Sequence, residues 1–228
     1  MGIAASGDGR APAESNLKFK FGTMTPAALK HLSASDPVMR RLIRDFGPCG
    51  LEPETRRSPF QSLVLAVAHQ QLNSKAAGSI LSRFKKLFPG RRFPRPDDLT
   101  DVTDEQIRAC GFSFAKIASI RDIAAKTLSG VVPASRQIII LSDDEIIERL
   151  TEVRGVGRWT VEMLLIFQLG RHDVLPADDF GVRTGFRRAY KKRDLPAVKE
   201  LLAFGERWRP HRTTAAWYLW RAADEAKK

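Results

Sequence analysis

Two stretches of the chain hold residues whose types and spacing suit chemistry. In the first, Leu150-Thr151-Glu152-Val153-Arg154-Gly155-Val156-Gly157-Arg158-Trp159-Thr160-Val161, two glycines stand one residue apart where one helical pattern stops and the next starts. Glycine admits positive φ and leaves no Cβ in front of an approaching ligand. The helix that follows presents its positive end, whose first N–H groups have no partner within the helix. A phosphate is the natural occupant of such a place. Gly155, Val156, Gly157, Arg158 and Thr160 are the residues that would hold it, mainly through the backbone. An ordinary tight turn uses the same glycines, so the turn alone leaves both readings open.

The second stretch, Leu175-Pro176-Ala177-Asp178-Asp179-Phe180-Gly181-Val182-Arg183, sets two adjacent carboxylates ahead of a helical pattern. Acids there can cap a helix start. A carboxylate in a dehydrated site can instead stabilise positive charge that develops in a transition state. No lysine or cysteine lies between Gly155 and Arg183, which leaves water as the attacking group. His172 falls in that interval with nothing evident to orient it, and reads as a surface loop residue. After the glycine turn, Trp159, Met163 and Phe167 share one helix face. Such a stripe is commonly core, although an aromatic wall also attracts a cationic ring by about 0.5–2 kcal/mol.

Helices must position these stretches. Thr25-Pro26, Asp36-Pro37 and Ser58-Pro59 each put a capping side chain before a proline at the first helical position. Apolar residues follow at helical spacing: Val38, Leu42, Ile43 and Phe46, then Phe60, Leu63, Val64 and Val67. The pattern predicts further helices over 74–88, 104–110, 113–128 and 142–150, with Gly111 and Gly130 as stops. The strand-like run Ile138-Ile139-Ile140-Leu141 has no partner and reads as a buried turn or a short helical piece. An all-α fold is expected. Residues 1–15, small, polar and broken by Gly and Pro, read as a disordered leader.

Charge bounds the partner. With 38 Lys and Arg against 26 Asp and Glu in 228 residues, the formal charge is +12, which favours a polyanionic partner such as nucleic acid or an anionic membrane surface. Two cysteines, Cys49 and Cys110, are too few for a disulfide framework or a four-thiolate iron–sulfur cluster. No apolar run approaches the ~18 residues that span a bilayer, so an intracellular protein with no membrane association is expected, cytoplasmic in a bacterium and nuclear in a eukaryote. Met1-Gly2-Ile3-Ala4-Ala5-Ser6 fits the myristoylation pattern, but that pattern is loosely specified.

Taken together, the glycine turn and the Asp178-Asp179 loop resemble the hairpin and catalytic loop of the helix-hairpin-helix base-excision DNA glycosylases. Phe60–Val64 through His69-Gln70-Gln71-Leu72-Asn73-Ser74-Lys75 resembles the base-wedging loop of the alkylbase branch. Trp208-Arg209-Pro210-His211 through Trp220 resembles that branch's C-terminal helix. The bifunctional members carry a lysine two residues after the second hairpin glycine. Here that residue is Trp159. The compact 3-methyladenine glycosylase II branch therefore fits best.

The resemblance implies a two-lobed helical fold with the active site in a cleft between lobes: 16–60 with 190–228 as a terminal lobe, and 61–189 as a central lobe holding the hairpin (146–168) and the catalytic loop (175–183). It implies Asp179 as the essential carboxylate and Asp178 as a cap or brace. Trp159, Met163 and Phe167 would line the base pocket, Gln71 or Leu72 would be the wedge, and Asn73 would contact the minor groove. The helix carrying Arg183, Arg187, Arg188, Lys191, Lys192 and Arg193 would bind phosphates. The implied partner is double-stranded DNA with alkylated bases, bound by a monomer without a catalytic cofactor. A sodium or potassium ion would sit on the carbonyls of Thr151, Val153 and Val156. A DNA-binding module without chemistry, and an RNA-binding or membrane-surface protein, are the rival readings.

Overall fold

Local capping decides where the helices begin. The computed structural model describes residues 26–225, so the leader and the Thr25 cap lie outside the described residues. The helices are α1 (Pro26–Ser35), α2 (Pro37–Phe46), α3 (Pro59–His69), α4 (Ser74–Lys86), α5 (Asp104–Ala109), α6 (Phe114–Leu128), α7 (Ser135–Ile138), α8 (Asp143–Thr151), α9 (Arg158–Phe167), α10 (Phe180–Ala189), α11 (Val198–Gly205) and α12 (Arg212–Asp224). Among the described residues there is no strand. The fold is all-α, as the patterning implies. Asp36 and Ser58 cap α2 and α3 as expected, with proline at the first turn. Gly111 and Gly130 take positive φ just past α5 and α6. The isoleucine run enters α7 with only Ile138 buried; Ile139 and Ile140 are 61% and 80% exposed, so it is no buried turn.

The chain divides into two units, one of residues up to Pro53 together with those from Leu165, the other Glu54–Leu164. The sequence boundaries at 60/61 and 189/190 therefore shift, and the loop 175–183 belongs with the chain ends. The cause is packing that local sequence does not announce. Gly185 on α10 lies so close to the backbone of Leu219 on α12 that any Cβ would overlap its carbonyl, and this contact ties α10 to the C-terminal helix.

In the first unit, Leu32, Met39, Phe186, Trp208, Tyr218 and Leu219 are fully buried. Asp36, 1% exposed, is the polar knot of that core. Its Oδ1 accepts the N–H groups of Val38 (2.8 Å) and Met39 (3.3 Å). Its Oδ2 accepts the Trp208 indole N–H at 3.0 Å and the Tyr190 hydroxyl. Burial, followed by the bond to Asp36, pushes the Tyr190 phenol far above its ordinary value. A buried carboxylate is stable when its lone pairs are satisfied in this way.

The second unit packs α3 against α6 and α4, with Leu63, Val67, Phe84, Phe112, Ile117, Ile120 and Ile146 fully buried. Phe84 meets Phe88 and Phe112 edge to face at 5.3 and 5.4 Å, the geometry that aromatic quadrupoles favour. Arg121 on α6 gathers the carbonyls of Leu99 and Val102 and the Asp104 carboxylate. That side chain fixes the 3-10 turn Asp97–Asp101 against the helix.

Candidate active site and DNA-contacting segments

In the first unit, the Asp178-Asp179 pair resolves into two unlike groups. Asp179, 1% exposed, is the N-cap of α10, its Oδ1 accepting the Val182 N–H at 2.8 Å. The same oxygen accepts the indole N–H of Trp220 on α12 at 2.8 Å. Asp178 is the solvated member, its side chain 76% exposed and 3.8 Å from Arg183. The cap role expected of Asp178 thus falls to Asp179, because capping needs the residue immediately before the first helical turn.

Trp220 is held in turn. Its ring stacks on Phe167 with centroids 5.6 Å apart and planes 26° from parallel. Gly181 leaves room for it, since a Cβ there would stand 2.8 Å from Trp220 Cδ1 and 3.0 Å from Asp179 Oδ1. Phe167, Trp220, Gly181 and Asp179 therefore form one assembly. Trp220 and Gly181 were not assigned from sequence. The tryptophan lies in a helix whose pattern reads as core, and nothing local ties it to a carboxylate 41 positions away.

In the second unit, α8 opens with a capping box in which Ser142 and Glu145 satisfy each other's backbone N–H groups. The helix ends at Thr151, and α9 begins at Arg158. Of the two hairpin glycines, Gly155 alone has positive φ (75°), and a Cβ on it would overlap Ser119 Oγ. Gly157 has no such φ and faces open space. The expectation of positive φ at both is corrected: Gly155 is required by the turn, and Gly157 keeps a surface bare. Thr160 and Val156 are buried (6% and 4%). The exposed Arg158 pairs with Glu162 at 3.0 Å. The Val153 carbonyl accepts the Val156 N–H at 3.0 Å.

Trp159 and Met163 are half-buried on α9, as is Phe167 farther along the helix. The side chains ahead of α4 are exposed, Leu72 by 39%. Gln71 holds φ of +57°, a left-handed conformation of the kind that clusters at ligand clamps and costs a non-glycine residue roughly 1 kcal/mol or more. Asn73 caps α4, its Oδ1 accepting the Ala76 N–H at 2.9 Å, which engages one lone pair of that oxygen and none of the amide N–H donors. In the first unit the basic helix α10 is partly spent internally. Arg183 donates to the Pro196 carbonyl at 3.0 Å and Arg188 to that of Ala223, while Lys191, Lys192 and Arg193, expected on the same helix, lie exposed beyond its end at Ala189. His172 is exposed, in keeping with a loop residue.

With these groups located, comparison with known proteins places the chain. The family model of HhH-GPD superfamily base excision DNA repair proteins matches residues 64–210. The chain belongs to that superfamily. It is 44% identical over 199 residues to DNA-3-methyladenine glycosylase 1 of Schizosaccharomyces pombe, spanning 86% of each protein. A second protein of that yeast, alkylbase DNA glycosidase-like protein mag2, is 34% identical over 85% of this chain and 91% of its own length. Among solved structures, the S. pombe 3-methyladenine DNA glycosylase in complex with abasic DNA superposes with a TM-score of 0.78 at 43% identity, covering 89% of this chain and 97% of that one. A DNA-3-methyladenine glycosidase of Bacillus halodurans gives a TM-score of 0.81 at 36% identity, covering 91% and 94%.

Proposed function

We propose that this protein is a monofunctional DNA glycosylase that hydrolyses the N-glycosidic bond of alkylated purines in duplex DNA and leaves an abasic site. The observation that carries the reading is Asp179, a buried carboxylate fixed by the Val182 and Trp220 N–H groups in a chain of a base-excision repair superfamily. As the base departs, positive charge builds on the sugar, as it does in glycoside hydrolysis. A carboxylate in a site shielded from water stabilises that charge far better than one in bulk solvent. Its position is set before the reaction, so no reorganisation is needed when the charge develops. Asp179 also orients the attacking water. Trp159, in place of a nucleophilic lysine, supports hydrolysis without strand cleavage.

The base must leave the stack to react. Gln71 or Leu72 fills the gap, Asn73 Nδ2 reaches the minor groove, and the hairpin N–H groups hold a phosphate without reading sequence. The names of the relatives support 3-methyladenine-type lesions as substrates. The carbonyls of Thr151, Val153 and Val156 are hard oxygen donors suited to a sodium or potassium ion. Val153 would use its second lone pair, since its carbonyl already accepts a hairpin N–H. An ion held by these carbonyls would offset phosphate charge at the hairpin. The protein acts as a monomer inside the cell.

Incubation with methylated duplex DNA and chromatography of the released bases tests the reading. Free 3-methyladenine and 7-methylguanine are expected, with the strands intact until alkali is added. DNA bound without any base released would leave only a binding module.

A further inference from the structure

One side of α6 touches both DNA-contacting segments of the second unit. Lys116, Ser119, Asp122 and Lys126 recur every three or four residues, hence on one side of the helix. Lys116 Nζ donates to the carbonyls of Ala68 (2.9 Å) and Gln70 (2.7 Å), at the C-terminal end of α3. Gln70 then donates through its own Nε2 to the carbonyl of Gly155 in the hairpin, at 3.0 Å. One turn along α6, Ser119 Oγ occupies the space that a Cβ on Gly155 would need. Beyond it, Asp122 accepts the Arg154 N–H at 2.7 Å and Lys126 donates to the Glu152 carbonyl.

We propose that Lys116 is a positioning residue for base extrusion: through Gln70 it locks the Gln71–Leu72 segment to the hairpin, so that wedge and phosphate anchor engage the duplex as one piece. The inference rests on the proposed function for its wedge, and adds the residues that aim it. Gln71 sits immediately after the last carbonyl that Lys116 holds, in a left-handed conformation that persists only where its surroundings impose it. A lysine serves here because its flexible stem carries three donors, enough to serve two carbonyls at once. Burial holds its pKa below the usual lysine value, and the two carbonyls give the desolvated ammonium its partners.

The test compares 7-methylguanine opposite cytosine with the same lesion in an unpaired bulge, where extrusion costs little. Lys116→Met should slow single-turnover release from the paired site by about tenfold and from the bulge by no more than about twofold, because only the paired base must be forced out. Affinity for undamaged duplex should be kept, and Lys116→Arg should restore most of the rate. Gln70→Ala should act in the same direction and to a lesser degree; it leaves both backbone bonds of Lys116 in place and carries the test if Lys116→Met fails to fold. Equal losses on both substrates, or none, would overturn the proposal. Leu72→Ala and Gln71→Ala on the same pair separate the two layers. If neither selectively slows the paired site, the wedge reading itself fails. If either does and Lys116→Met does not, only the positioning role falls.

Discussion

Trp220 donates its indole N–H to Asp179 Oδ1 at 2.8 Å, on the same oxygen that accepts the first-turn N–H of α10. The arrangement has a counterpart in the same unit, where Trp208 donates to Asp36 Oδ2 at 3.0 Å. Both carboxylates cap a helix and are 1% exposed. They differ in surroundings. Asp36 joins α2 to Tyr190 and Trp208 within the core, whereas Asp179 adjoins the exposed Phe180 and a glycine that makes room for its tryptophan.

The two tryptophans should therefore separate activity from stability. Trp220→Phe keeps a ring against Phe167 and removes the donor. A hydrogen bond to a charged group contributes roughly 1.5–3 kcal/mol, and if it is felt mainly in the transition state the single-turnover rate falls about tenfold or more. Trp208→Phe should lower the melting temperature and leave excision by the folded protein unchanged. Equal activity losses in the two variants would deny Asp179 a special role for its donor.

Gly181→Ala offers a sharper dissociation. In a helix, alanine is favoured over glycine by about 1 kcal/mol, and φ here is not positive. The new Cβ must displace Trp220 or Asp179, which stand within 2.8–3.0 Å of its ideal position. Excision should drop at least about tenfold, with thermal stability changed little. Wild-type rates in this variant would show that the assembly tolerates rearrangement.

The hairpin glycines should behave differently from one another. Gly155→Ala combines positive φ with overlap on Ser119 and should cost about 1–3 kcal/mol in denaturant titrations. Gly157→Ala meets open space and should fold normally. By obstructing the phosphate it should weaken binding to damaged and undamaged duplex alike. Selective loss on damaged DNA would contradict a backbone contact that ignores sequence.

What the sequence disclosed and what it hid follow from the range of the interactions. Asp36-Pro37, Ser58-Pro59 and the stops at Gly111 and Gly130 were legible because caps act within one helical turn. Adjacent acids were harder: both Asp178 and Asp179 satisfy the local pattern, and only the backbone at the start of α10 decides which one caps. Trp220, Gly181 and Gly185 were not legible, since each is fixed by a contact between α10 and α12, helices well separated in the chain. The unit boundaries moved for the same reason. Gly-Val-Gly pointed to a turn, yet the different duties of Gly155 and Gly157 depend on Ser119 of α6.

Lesion charge should govern the rate. Methylation at N3 of adenine or N7 of guanine leaves the base cationic within the nucleotide, so it departs without a general acid. The assembly around Asp179 offers a carboxylate and aromatic rings, and the rings favour a cation. Single-turnover release of 3-methyladenine and 7-methylguanine should outpace that of hypoxanthine. Equal rates would require a proton donor to the base that this account does not contain.

The most direct measurement is single-turnover excision by Asp179→Asn, alongside its duplex affinity. Asparagine retains an oxygen to accept from Val182 and Trp220, so the cap and the fold should survive while the charge is lost. The account predicts excision lower by several orders of magnitude, with affinity for lesion-bearing duplex unchanged or higher, because transition-state stabilisation is removed and phosphate contacts are kept. Turnover near that of the unaltered protein would contradict it.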